Sequence, residues 1–232
     1  MNKSTFSLSL TAVCTLLACS SAMAQYTVQV GGAYVDPHSS AGTATGPLTP
    51  LGAISLTVKP QSTLFLSVAR EINDNWDVQL ALGLPPVHDV AFKVTKASAL
   101  PASVAAQEGV IIGKVTQLAP TLFANYKFGE AGKTFRPFVG VGVNYTKFDP
   151  AETTQANDAI NGGPTRIKLD DSWGLALQAG VTYQIDKKWS LSGTYTTADV
   201  KTTVTTNTLG IERKVNVTFA PNVFIFALGY SF

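Results

Sequence analysis

From residue 25 onward, side-chain character switches with every residue, and this period of two constrains the fold more than anything else in the chain. Trp76, Val78, Leu80, Leu82 and Leu84 share one parity, while Asp77, Gln79, Ala81 and Gly83 share the other. Successive side chains of a β-strand point to opposite faces, so such a run is a strand with one greasy face. The same pattern runs through residues 26–34, 118–128, 135–146, 172–185 and 224–232, and more weakly through 64–69 and 189–196. These are eight strands, most of them about 9–11 residues long or longer, enough to cross a bilayer when tilted. The parity opposite the apolar one is Gly, Ala, Ser, Thr, Gln and Asn, a poor water-facing coat. Backbone groups in lipid have no water to bond, so a sheet there must close on itself. The expectation is all-β: an eight-stranded antiparallel transmembrane β-barrel spanning residues 25–232, its apolar parity against lipid.

Composition agrees. Charged residues are 14% of the 232, against about 25% in a soluble domain. There is no run of about 18 apolar residues for a membrane helix. A net charge of +2, dispersed along the chain, gives no nucleic-acid footprint. Connections alternate in length. Residues 71–75, 129–134 and 186–188 read as short turns; 37–62, 85–115, 149–167 and 200–214 read as long loops. Short periplasmic turns and long extracellular loops fit an outer-membrane barrel. Trp76, Trp173, Trp189, Tyr126, Phe128, Phe135, Tyr145, Tyr230 and Phe232 lie near strand ends, where amphipathic rings meet headgroups.

Residues 1–24 read as a signal peptide. Lys3 supplies the positive start, residues 6–18 a mostly apolar stretch, and Ala22 and Ala24 the small residues before a cut ahead of Gln25. Cys14 and Cys19 both fall inside it, leaving the mature chain without thiols. A looser alternative makes Cys19 the lipidated first residue of a lipoprotein.

The run Phe135-Arg136-Pro137-Phe138-Val139-Gly140-Val141-Gly142-Val143-Asn144-Tyr145-Thr146 carries a resemblance. So do Leu118-Ala119-Pro120-Thr121-Leu122, Asp171-Ser172-Trp173-Gly174 and the C-terminal strand from Pro221 to Phe232. Together these are similar to the outer membrane protein W (OmpW) family, over essentially the whole mature chain. The resemblance implies a narrow, partly apolar barrel in the outer membrane of a Gram-negative bacterium, in contact with lipid and lipopolysaccharide. It implies passive passage of small hydrophobic molecules, from outside and then sideways through a gap in the wall. It also makes Phe226, Leu228, Tyr230 and Phe232 the C-terminal signal read by the barrel-assembly machinery.

Pro85 and Pro86 are the candidates for the lateral gate, since proline cannot donate to a ladder; they could equally just end a strand. Lumen-lining candidates on the inward parity are Phe65, Phe123, Phe138, Phe148, Val223 and Ile225. Family members close the tunnel with large inward residues in strands three and seven. Here those positions fall on Ala81 and Thr196, so that constriction does not carry over. The alternative is a barrel that fills its interior with side chains and conducts nothing, its loops binding surface partners. A soluble ligand-binding barrel with the apolar parity turned inward is a further one.

Catalysis, cofactor and metal binding find no support. His38 and His88 lie in stretches read as loops, with no serine triad or zinc spacing around them. Asp170 and Asp171 read as neighbours in a strand, facing opposite ways. An enzyme acting on lipid through the two histidines is the remaining catalytic possibility.

Overall fold

The computed structural model describes residues 25–47, 49–50, 52–149 and 151–232. The signal-peptide and lipoprotein expectations lie on residues 1–24, outside the described ones.

Each of eight staves is built from two roughly collinear segments. These are β1 (Tyr26–Asp36) with β2 (Ser39–Ala41), β3 (Ile54–Val58) with β4 (Gln61–Glu71), β5 (Trp76–Gly83) with β6 (Val87–Val94), and β7 (Ile111–Leu118) with β8 (Thr121–Lys127). Then come β9 (Phe135–Phe148) with β10 (Glu152–Thr153), β11 (Thr165–Leu169) with β12 (Ser172–Gln184), β13 (Trp189–Ala198) with β14 (Val200–Thr208), and β15 (Ile211–Phe219) with β16 (Asn222–Ser231). Antiparallel pairing runs β12, β13, β16, β1, β4, β5, β8, β9, and β9 pairs back to β12, so the barrel is closed. The first and last strands meet with Val28 opposite Tyr230, and Tyr26 and Phe232 exchange two backbone bonds of 3.2 and 3.0 Å.

The apolar parity faces outward, as the alternation requires. Leu175 is 59% exposed and Phe226 66%, while Gln178 and Ala227 on the other parity are buried. Two aromatic girdles bound this band. Trp76, Tyr126 and Phe128 contact edge to face near the turn rim, and Trp189 packs on Tyr230. At the far rim Tyr145 packs on Trp173, and Tyr195 on Phe224. The turns are held by side chains that mimic backbone acceptors. Asn73 Oδ1 accepts from the N–H groups of Asn75 and Trp76. Asp186 Oδ1 accepts from those of Lys188 and Trp189, which lowers the Asp186 carboxyl pKa.

The segments read as long loops are corrected by the structure, which turns most of them into wall. β2, β3, β6, β7, β10, β11, β14 and β15 carry the barrel onward past the apolar band, in one sheet ordered β11, β14, β15, β2 and another through β3, β6 and β7. Apart from the turns and the breaks, the described irregular chain lies at the tips, with a 3₁₀ turn at Ala97–Ala99 and two helices, α1 (Ala102–Ala105) and α2 (Gln155–Asn161). The outer segments were hard to read because their outward parity is polar: Lys114, Arg166, Lys168, Lys201, Lys214 and Asn216 are exposed. That change from Leu and Phe to Lys and Arg marks the edge of the apolar band. The breaks between inner and outer segments hold Pro37, Pro60, Pro85, Pro86, Pro120 and Pro221, each unable to donate to a ladder. Asp170 and Asp171 occupy another break, between β11 and β12, not a strand as read. Inside the outer half, Phe148, Val200, Val204, Val215, Val217 and Phe219 form an apolar cluster with Ala44.

Candidate lumen and lateral opening

Inward side chains divide the interior into compartments along the axis. At the height of the outer girdle lies a cavity of about 130 Å³. Six of the residues expected to line a lumen do so here: Phe65, Ala81, Phe123, Thr196, Val223 and Ile225. Phe123 is 2% exposed, and Gly142 makes its place: a Cβ there would stand 2.6 Å from the Phe123 ring. The remaining two line other compartments. Phe138 lies in a lower compartment of about 90 Å³, and Phe148 in a higher one of about 70 Å³, packed near Phe219. An outermost compartment of about 220 Å³ reaches the tips. The eight residues therefore do not share one lumen. Ala81 and Thr196 are small, and the Thr196 hydroxyl donates to Gln178 Oε1 at 3.4 Å.

The floor of the 130 Å³ cavity is polar and fully bonded. Gln79 Nε2 donates to Gln29 Oε1 (2.9 Å) and Ser67 Oγ (3.0 Å). Its Oε1 accepts from Asn125 Nδ2 (3.2 Å) and Gln178 Nε2 (2.9 Å). Gln178 Nε2 also donates to Asn125 Oδ1 (2.6 Å), and Asn125 Nδ2 to Asp77 Oδ1 (2.7 Å). Below, Lys127 Nζ sits 2.7 Å from Glu71 and 3.2 Å from Asp77. Buried amides joined this way lock one another in place, and the loss of any one leaves partners unsatisfied. This floor closes the way down the axis toward the turn rim. The sequence reading missed it. Its only signal was four amide side chains, Gln29, Gln79, Asn125 and Gln178, all on the inward parity.

The wall beside the same cavity is unpaired over a short stretch. The ladder between β5 and β8 ends at Ala81 opposite Thr121, and β6 resumes with β7 at Val87 opposite Thr116. Five residues on one side (82–86) span what four span on the other (117–120), so the register shifts by one across the break. Among the described residues, 82–85 and 118–120 make no ladder pair with each other; pairing returns where the Gln117 N–H donates to the Pro86 carbonyl at 3.1 Å. Both strands stay paired on their other sides, Leu84 to Leu64 and Tyr145 to Pro120. The interruption lies at the outer girdle, since Tyr145 stacks on Trp173 there. Leu82, Leu84, Pro86 and Ala119 from its two lips all line the cavity. Pro85 lies in the unpaired stretch and Pro86 at its upper end. The carbonyl of Pro86 is bonded, and Pro85 has no N–H to offer across the gap, whereas Pro120 turns its bonded carbonyl, and the side where its N–H is missing, toward β9.

His88, read as a loop residue, is a correction: it stands in β6 with 1% of its surface exposed, facing the 70 Å³ compartment. His38 is at a break beside Asp36 and exposed, as a loop residue would be. Among the described residues no three His, Cys, Asp or Glu side chains gather closely enough to hold a metal ion.

A sequence model described as the OmpW family matches residues 24–232. The outer membrane protein W of Vibrio cholerae is 33% identical over 188 residues, covering 78% of this chain and 86% of its own. That of Escherichia coli K12 is 33% identical over 209 residues, covering 90% and 88%. Among solved structures, the outer membrane protein OprG of Pseudomonas aeruginosa superposes with a TM-score of 0.78 at 28% identity, covering 90% of this chain and 96% of that one.

Proposed function

Because the chain belongs to the OmpW family of Gram-negative outer-membrane barrels, we propose that it passes small hydrophobic molecules inward without energy input, releasing them sideways into the bilayer. One observation carries this reading: an apolar cavity with a hydrogen-bonded floor and an unpaired wall. A solute that has come down the outer compartments meets amides beneath it and leucines beside it. Dropping through the floor would mean breaking buried hydrogen bonds at about 1 kcal/mol each or more. Moving between Leu82 and Ala119 exchanges one apolar surrounding for another and costs little. The chemistry suits a solute that lipopolysaccharide resists and that a water-filled pore does not favour.

The gap can be closed chemically. Continuing the inner register would place Gly83 opposite Ala119, and residues 25–232 contain no cysteine. In liposomes of the purified protein, Gly83→Cys with Ala119→Cys should admit a fluorescent apolar solute when reduced and block it when oxidised. Flux that survives verified cross-linking removes the lateral exit. No flux in folded wild-type protein hands the case to a non-conducting barrel whose outer half binds surface partners.

A further inference from the structure

Among the described residues, His88 is the one place where a buried side-chain polar atom is left over. Its Cβ points inward from β6, between the outward Val87 and the half-buried Asp89. Nδ1, the ring nitrogen nearer the wall, lies 2.9 Å from the Lys59 carbonyl oxygen. A carbonyl only accepts, so Nδ1 carries the hydrogen and the neutral ring presents Nε2 as a bare acceptor. Nε2 is the distal nitrogen, deeper in the interior. Among the described residues it is the only buried side-chain nitrogen or oxygen without a partner. Around it the compartment is lined by Leu56, Val58, Val90, Ile112, Phe148 and Phe219. Burying an acceptor unpaired costs about 1–3 kcal/mol, so the site gains when a donor arrives.

The position matters as much as the atom. Gln117 lines both this compartment and the one beside the unpaired wall. His88 stands two residues beyond Pro86, the upper end of the unpaired stretch. A solute descending the column reaches it just before the exit.

We propose that His88 makes this compartment a selective binding site for apolar molecules carrying a single hydrogen-bond donor, such as an alcohol or a phenol, whose O–H donates to Nε2 while the body packs on the surrounding aliphatic and phenyl groups. This deepens the transport reading and rests on it for the route, but not for the binding. A donor alone is not enough, because a small polar molecule forfeits the apolar contacts. An apolar body alone leaves Nε2 unpaired.

Phenol and toluene test this, since they differ by hydroxyl against methyl on one ring. The affinity of each is measured for the full-length mature protein in detergent and for His88→Phe, which keeps the ring and removes the acceptor. The phenol-to-toluene affinity ratio should fall about tenfold in the variant, equivalent to about 1.4 kcal/mol; taking the ratio cancels each solute's preference for water. The chain has two histidines, so ¹⁵N-histidine labelling gives an independent readout in the wild type. Phenol should shift the His88 Nε2 resonance, with toluene and His38 unmoved. An unchanged ratio, or an Nε2 resonance blind to phenol, overturns the proposal; a tightly held water on Nε2 would produce that outcome. If His88→Phe does not fold, the resonance decides alone. Flux of both solutes with an unaltered ratio removes only the selectivity, whereas phenol bound at His88 without flux removes only the transport reading. Binding of neither removes the site.

Discussion

Replacing Gln79 and Gln178 together with alanine should open the barrel to ions along its axis. Gln79 makes four hydrogen bonds, to Gln29, Ser67, Asn125 and Gln178. Gln178 adds two more, to Asn125 and to Thr196. Six bonds at about 1 kcal/mol net give an upper figure of about 6 kcal/mol lost. The actual loss should be nearer half of that, for two reasons. Gln29 and Ser67 keep their mutual bond of 2.7 Å, and Asn125 keeps Asp77. Each truncation also vacates room for one or two waters, at about 30 Å³ apiece, which re-bond the exposed partners. Those waters join the 130 Å³ cavity above to the 90 Å³ compartment below, lined by Glu71, Asp77, Lys127 and Arg136. Planar-bilayer recording should then show discrete current steps for the double variant and none for wild type. Urea unfolding in detergent should show a loss of about 3 kcal/mol. A folded double variant that carries no current, with its floor bonds demonstrably gone, would refute the claim that these amides are what seals the axis.

Other outcomes follow from single residues. Burial holds the His88 pKa below that of a free imidazole, against a smaller raising effect of its bond to Lys59. A depressed folded-state pKa means that the unfolded chain takes up the proton first. Wild-type stability is therefore fully present above about pH 6.5 and lost as pH falls toward the folded value. The melting temperature of His88→Phe should thus rise relative to wild type as the medium is acidified through that window; a pH-independent difference would contradict it. Gly174→Val should destabilise strongly, because a Cβ there runs into the Asp199 backbone carbonyl, which cannot move without displacing β13 and β14. Loss of the heat-modifiable folded band on a gel would report it. Deleting Phe232 removes the two bonds with Tyr26 that close the seam at its turn end, along with the last residue of the proposed assembly signal. Slower insertion in vivo with near-normal refolding in detergent is the expected pattern, and equal loss in both would reduce Phe232 to a structural role.

The inner staves were legible because their two faces differ in size and polarity at every step. Leu175 against Ala176 and Phe226 against Ala227 leave no choice of face. The outer staves were not, because their outward residues are polar and their inward ones modest. In β14, Thr202 and Val204 alternate with Lys201, Thr203 and Thr205, a contrast easily taken for a loop rich in threonine. Pro85 and Pro86 could be singled out from chain chemistry, but the break in the ladder also needed the one-residue shift in register, which only pairing reveals. The floor depends on amides up to 99 residues apart in sequence meeting across the barrel. No local pattern encodes that. His88 was misplaced for the same reason as β6 itself: the segment after two prolines was read as loop.

The outer extension of the staves bears on where the proposed route would begin. In β14 and β15 nine residues each stand beyond the apolar band. At about 3.3 Å per residue and a tilt near 40°, that is roughly two nanometres of wall above the hydrocarbon. On the proposed route, the intake would stand that far above the hydrocarbon, and an oily molecule would meet the protein before it met the acyl chains.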